Sequence, residues 1–107
     1  MSKLLNSIAK LINNGEILIS AHGYDELRND NIFVKDIIGT IDKAVVIKEY
    51  LDYAKGPCIL VLQNDKNGEP IHVVWGISKN FNSPAVLVTA YRPVTEHWTE
   101  DFTRRKK

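Results

Sequence analysis

Cys58-Ile59-Leu60-Val61-Leu62-Gln63, the turn Asp65-Lys66-Asn67-Gly68, and Ile71-His72-Val73-Val74-Trp75-Gly76-Ile77 together decide the fold. The first run is almost continuously apolar, as in a strand covered on both faces. The last alternates, with Ile71, Val73, Trp75 and Ile77 facing one way and His72 and Val74 the other. Between them Asn67-Gly68 is a strong hairpin signal. Two strands with so short a link must pair antiparallel. Outward from this hairpin, Val45 to Tyr50 is rich in branched and aromatic residues and reads as the strand before it, after which Leu51 to Pro57 is a loop. Asn80 to Pro84 is a turn, and Ala85 to Arg92 is the last strand, stopped by Pro93. The expected sheet is a four-stranded antiparallel meander. On its last strand simple alternation puts Leu87, Thr89 and Tyr91 on one face and Val86, Val88, Ala90 and Arg92 on the other.

The flanks are helical. Leu4, Leu5, Ile8, Leu11 and Ile12 recur at helical spacing, with Ser2 as N-cap and Gly15 past the C-terminus. Glu16 to Ser20 is a short extended connection, and Tyr24 to Arg28 a short helix. Val34, Ile37, Ile38 and Ile41 form a further helical stripe. Thr95 to Arg105 reads as a terminal helix docking Trp98 and Phe102, four apart on one face. The class is α+β: N-terminal helices packed on the sheet, with a C-terminal helix. With no repeats, low-complexity tracts or proline- and serine-rich linkers, residues 1–107 read as a single domain.

Composition narrows the function classes. The 107 residues are 44% hydrophobic and 25% charged, as is usual for a globular domain large enough to bury a core. Cys58 is the lone cysteine, so an intrachain disulfide is excluded, and a reducing compartment, the cytoplasm, is the expectation. No apolar run approaches the roughly 20 residues of a membrane-spanning helix. Lys10 and the asparagines interrupt the N-terminal apolar stretch, which does not read as a signal peptide. Net charge is +1, yet Arg104, Arg105, Lys106 and Lys107 close the chain. Without them ten basic residues face thirteen acidic ones, a balance of −3. A nucleic-acid partner is thus suggested by the tail alone, whose plainer reading is a solvated terminus.

The polar residues worth testing are few. His22 sits where an extended piece meets a helix. The positive end of a helix dipole favours a neutral imidazole, which suits a general base. Arg28 follows six residues on and can share a pocket with it. The plainer reading is a histidine satisfied by a backbone carbonyl, with Arg28 bridging to Asp25 or Asp30. His72 stands in mid-strand opposite the Trp75 face. If the strands pair in order, it gathers with Thr89 and Tyr91, a polar patch that is costly unless paired or wet. The loop residues Glu49, Tyr50 and Asp52 are expected to rim that surface. His22, His72 and His97 lack metal-ligand spacing, and neither a glycine-rich phosphate loop nor a Gly-x-Ser-x-Gly elbow is present, so no metal or cofactor is expected. Cys58, opening an apolar strand, reads as packed rather than reactive.

Taken in order, several motifs form one pattern. They are Ser20-Ala21-His22, Glu49-Tyr50-x-Asp52-Tyr53-x-x-Gly56-Pro57, Gly68-x-Pro70-Ile71-His72-Val73-Val74-Trp75-Gly76, Val88-Thr89-Ala90-Tyr91-Arg92-Pro93 and Trp98-x-x-Asp101-Phe102-x-Arg104-Arg105. The chain resembles the bacterial domain of unknown function 4258 family over roughly residues 16–105. Where that family commonly has His-Ala and a following basic pair, this chain has His22-Gly23 and Arg28 alone. The resemblance implies an architecture like the RelE and BrnT toxins, many of which are ribonucleases. It therefore implies metal-independent RNA cleavage, with His22 and His72 as the acid–base pair and Arg28, Arg92 and Tyr91 at the phosphate. Glu49, Tyr50, Asp52, Arg104 and Arg105 would hold substrate. RNA and a small antitoxin-like protein are the partners this implies. The alternative is a non-catalytic binding module for a protein partner or small ligand. The two readings differ on whether His22, His72, Tyr91 and Arg92 converge on one concave surface.

Overall fold

The computed structural model describes residues 2–105. Helix α1 (Lys3–Asn13) is followed by strand β1 (Ile17–Ile19), helix α2 (Ala21–Asn29), helix α3 (Val34–Thr40) and a 3-10 turn (Ile41–Lys43). Strands β2 (Val45–Tyr50), β3 (Cys58–Asn64), β4 (Pro70–Gly76) and β5 (Ala85–Tyr91) come next, and a 3-10 turn (Thr95–His97) leads into the C-terminal segment. The sheet order is β1-β5-β4-β3-β2. β2 to β5 form the expected antiparallel meander, while β1 pairs parallel to β5 and makes the sheet five-stranded and mixed. The reading of a four-stranded, wholly antiparallel sheet is corrected in that respect. Three residues, Ile17 to Ile19, are too few to show a strand period, and only the neighbouring β5 edge makes them a strand.

α1 forms where the periodicity placed it. The Ser2 hydroxyl accepts from the Leu5 N–H at 3.1 Å. Gly15, at φ 79°, closes the other end: its N–H reaches the Ile12 carbonyl while that of Glu16 reaches Leu11, a Schellman pair. Leu5, Ile8 and Ile12 are buried against Ile59, Val61, Ile71, Val73, Trp75, Ala85, Leu87 and Ala90 of the sheet. α2 and α3 add Leu27 and Ile37 to the same core. Burying side chains such as Ile8 and Ile37, both at 0% exposure, contributes roughly 1.5–3 kcal/mol each. All three helices therefore leave the opposite, outer face of the sheet uncovered.

α2 begins at the Ser20 N-cap, whose hydroxyl accepts from the Gly23 N–H and donates to the Val88 carbonyl, both at 2.9 Å. It then runs along β5 beyond the end of β1, and the Asp30 carboxylate at its far end takes the Arg92 N–H at 3.0 Å. The helix thereby covers an edge that β1 leaves unpaired. A register shift in the β4–β5 pairing makes Val88 the extra residue of a bulge: Trp75 opposes Leu87, but Val74 opposes Thr89. Leu87 consequently faces the core with Ala90, and Thr89 and Tyr91 face outward with His72. Strict alternation had put Leu87 with Thr89.

The expected C-terminal helix is absent from the described residues. After one 3-10 turn Trp98 is extended, and it bridges Arg105 in antiparallel fashion. The Asp101 carboxylate takes hydrogen bonds from the Thr99 hydroxyl and from the hydroxyl and N–H of Thr103. Such local bonds compete with helix formation, and the β-branched threonines add to the effect. These bonds, the Thr99 hydroxyl first, hold the Asp101 carboxyl below its usual range. Residues 98–105 form a strap folded back across the outer face.

Candidate functional site

The outer face divides into two halves. One lies beneath the strap and centres on His72. This imidazole is fully buried, with Nε2 donating to the Phe102 carbonyl at 2.8 Å. Nδ1 is left to accept from the Tyr91 hydroxyl, a weak contact at 3.4 Å. Trp98 meets the imidazole edge-on, ring centres 4.4 Å apart, and the Arg105 guanidinium lies 5.9 Å from the Trp98 ring centre. Burial lowers the His72 pKa, outweighing the Phe102 carbonyl bond that raises it, so the ring is neutral. Burial likewise raises that of Tyr91, which stays a phenol. Both ring nitrogens are engaged and no face of the imidazole meets solvent.

Arg92 is occupied elsewhere. Its Nη1 pairs with the Asp65 carboxylate at 3.0 Å, Nε donates to the Asp30 carbonyl at 3.1 Å, and Nη2 reaches the Asn31 carbonyl at 3.4 Å. Asp65 also accepts the N–H groups of Asn67 and Glu69. Burial raises its pKa, but these N–H bonds together with Arg92 more than offset this and lower it. Arg92 thus clasps the end of α2 to the β3–β4 turn.

The other half of the outer face is open. A cleft of about 550 Å³ lies there, within the range of small-molecule sites. Its floor is Cys58, Val74, Val86 and Val88, neighbours across three strands. His22 and Ser20 form one wall at the start of α2, and Tyr50, Tyr53 and Lys55 the other. Gly56, at φ 125°, lets the loop pass against Ile77 and Lys79, where any Cβ would collide with backbone. The His22 side chain is 69% exposed, with Nε2 4.0 Å from the Glu26 carboxylate. Burial raises the Cys58 thiol pKa, which disfavours the thiolate. A second hollow, of about 680 Å³, is walled by the single turn Thr99–Arg104 and gains no wall from the sheet.

The residues singled out from sequence therefore separate. His72 and Tyr91 are direct cross-strand partners with Thr89 beside them, as expected. His22 is on the open half, Arg92 is in its clasp, and Arg28 is exposed on α2. Of Glu49, Tyr50 and Asp52, expected to rim the His72 surface, Tyr50 stands close enough to Tyr91 to add, after burial, to the rise in its pKa. Tyr50 pairs with Cys58, and Cys58 with Gly76, so its Cα stands roughly 16 Å from that of His72, from four residues along the strand and two strands across. Tyr50 also lines the open cleft, Glu49 accepts from the Ser2 hydroxyl at 2.8 Å, and Asp52 is exposed on the loop. Arg104 and Arg105 are exposed on the strap, and Lys106 and Lys107 lie outside the described residues. Sequence reasoning missed Ser20, Tyr53, Lys55 and Val88 as members of one site. Their signal was indirect: an apolar β3 implies cover on two faces, and the helices supply one. Among the described residues no group of three or more His, Cys, Asp or Glu side chains is placed to hold a metal, and no helix is long and apolar enough to cross a membrane.

Comparison with protein families gives one match, to Domain of unknown function (DUF4258), over residues 19–92. That is more than half of the chain, which belongs to this family. The match includes His22, the open cleft, His72 and Arg92, and leaves out α1 and the strap, so it is narrower than the resemblance over residues 16–105. No curated protein and no solved structure matches the chain.

Proposed function

We propose that this family member is a non-catalytic binding module that takes a small organic ligand in the open cleft. One observation carries the reading. The apolar outer face is covered by the strap at its His72 end, while at its Val74–Val88 end no element among the described residues covers it and the surface is concave, with a few polar groups at the rim. That combination is what a small-molecule site requires. The engagement of both nitrogens of His72 and of the Arg92 guanidinium supports the same reading, because neither group is free to act on a substrate. The test is ligand-observed NMR with a set of small aromatic and aliphatic compounds. Binding should disappear in Val88→Glu, which puts a charge on the floor, and persist in Lys66→Ala on the far turn. Binding that survives Val88→Glu unchanged would refute the cleft as the site.

A toxin-like, metal-independent ribonuclease of RelE or BrnT architecture is the second reading, and one observation favours it. His22 is accessible and shares the cleft with Tyr50, Tyr53 and Lys55, so a base, phenols and a cation stand together. In that reading His22 acts without His72, RNA is the substrate, an antitoxin-like protein is the partner, and the setting is the bacterial cytoplasm. Labelled RNA cleaved by the wild type and left intact by His22→Ala would replace the first reading with this one.

A further inference from the structure

Resting on the reading of the cleft as a binding site, we infer that its ligand is a small organic acid: an apolar body on the valine floor and an anionic head at Lys55. The floor offers the body only hydrocarbon and a thiol held neutral. The polar groups are confined to the rim and are unequal. The Ser20 hydroxyl is spent on Gly23 and Val88. His22 already has the Glu26 carboxylate within 4.0 Å. Lys55 is exposed and has no carboxylate within ion-pair distance among the described residues. No acidic side chain lines the cleft, although the chain carries thirteen. Glu49 is turned to Ser2, and Asp52 lies outside the lining. A cationic or diol-like head would find no acceptor side chain beyond hydroxyls and His22, whereas a carboxylate finds an unpaired ammonium and two phenols. Tyr50, whose ring centre is 5.3 Å from the Lys48 ammonium, and Tyr53 provide flat walls for an aromatic or aliphatic body.

Three compounds with one body and three heads test this: 4-phenylbutyrate, 4-phenylbutanol and 4-phenylbutylamine, titrated into the intact protein and followed by amide NMR shifts. The amides of Gly56, Gly76 and Val88 should move with the acid at about tenfold lower concentration than with the alcohol, the gain expected of a charge-assisted contact. The amine should bind weakest. In Lys55→Gln the acid should lose its advantage over the alcohol, and in Lys55→Glu the order of acid and amine should reverse. Both substitutions are at an exposed side chain whose backbone carbonyl keeps its bond from the Lys79 N–H. Equal binding of acid and alcohol at these amides would overturn the anionic head and leave the cleft as a site. If none of the three compounds moved these amides, the cleft reading would fall with it.

Discussion

Gln63→Leu is the sharpest test of how the two halves of the fold are joined. Gln63 is 1% exposed and bridges the sheet to α3. Its Nε2 donates to the Ile37 carbonyl at 2.6 Å and to the Thr40 hydroxyl at 3.1 Å, while its Oε1 accepts from the Trp75 indole N–H at 2.9 Å. Leucine fills nearly the same volume, so the cavity cost is small. The indole N–H, on a side chain with 0% exposure, loses its acceptor, and the Ile37 carbonyl loses a donor. A buried polar group left without a partner costs about 1–3 kcal/mol. Two such losses put Gln63→Leu at roughly 2–6 kcal/mol, a large share of the ~5–15 kcal/mol total of a typical domain. Trp75→Phe removes the donor and orphans Oε1. The double variant leaves only the Ile37 carbonyl without its donor, two orphans fewer than the two single variants together, and its destabilisation should fall short of their sum by about 2–3 kcal/mol. Urea unfolding at constant m-value reads all four proteins. Strict additivity, or a Gln63→Leu variant within about 0.5 kcal/mol of wild type, would refute the bridge.

Three further outcomes are expected. Because His72 has a folded pKa below its ordinary value of about 6.5, the unfolded chain binds more protons just below that pH. Stability from this group is full above 6.5 and is lost as pH falls through the window between 6.5 and the folded pKa. The urea midpoint should thus drop from pH 7.5 to 5.5, and His72→Gln should flatten the drop. Gly56→Ala should cost at least about 2 kcal/mol and disturb the cleft amides, since a Cβ there would meet the Lys79 nitrogen at 2.5 Å; a wild-type thermal midpoint would contradict this. Arg92→Ala should lose about 1–2 kcal/mol and speed hydrogen exchange at the end of α2 and in the Asp65–Glu69 turn, while unchanged exchange would show that the clasp holds nothing.

What the sequence determined by itself was local. The apolar runs at Cys58–Gln63 and Ile71–Ile77 with Asn67-Gly68 between them specify a hairpin wherever they fold, because strand period and turn chemistry are properties of consecutive residues. The Ser2 and Gly15 caps and the Leu5, Ile8, Ile12 stripe fix α1 in the same way. Cross-strand neighbours follow once the pairing is sequential, which made His72 and Tyr91 legible as partners. Tertiary structure decided the rest. Ile17–Ile19 becomes a strand only because the β5 edge offers it hydrogen bonds. The bulge at Val88 sends Leu87 inward and Thr89 outward. The 98–105 segment trades a helix for the local bonds of Asp101 and for a seat on His72. The open cleft joins Ser20 and His22 to Tyr50, Tyr53 and Lys55 and on to Val86 and Val88, residues brought together only when α2 packs along β5. No pattern in a linear chain encodes such a set, because the distances that define it are set by packing between elements and not by spacing along any one of them.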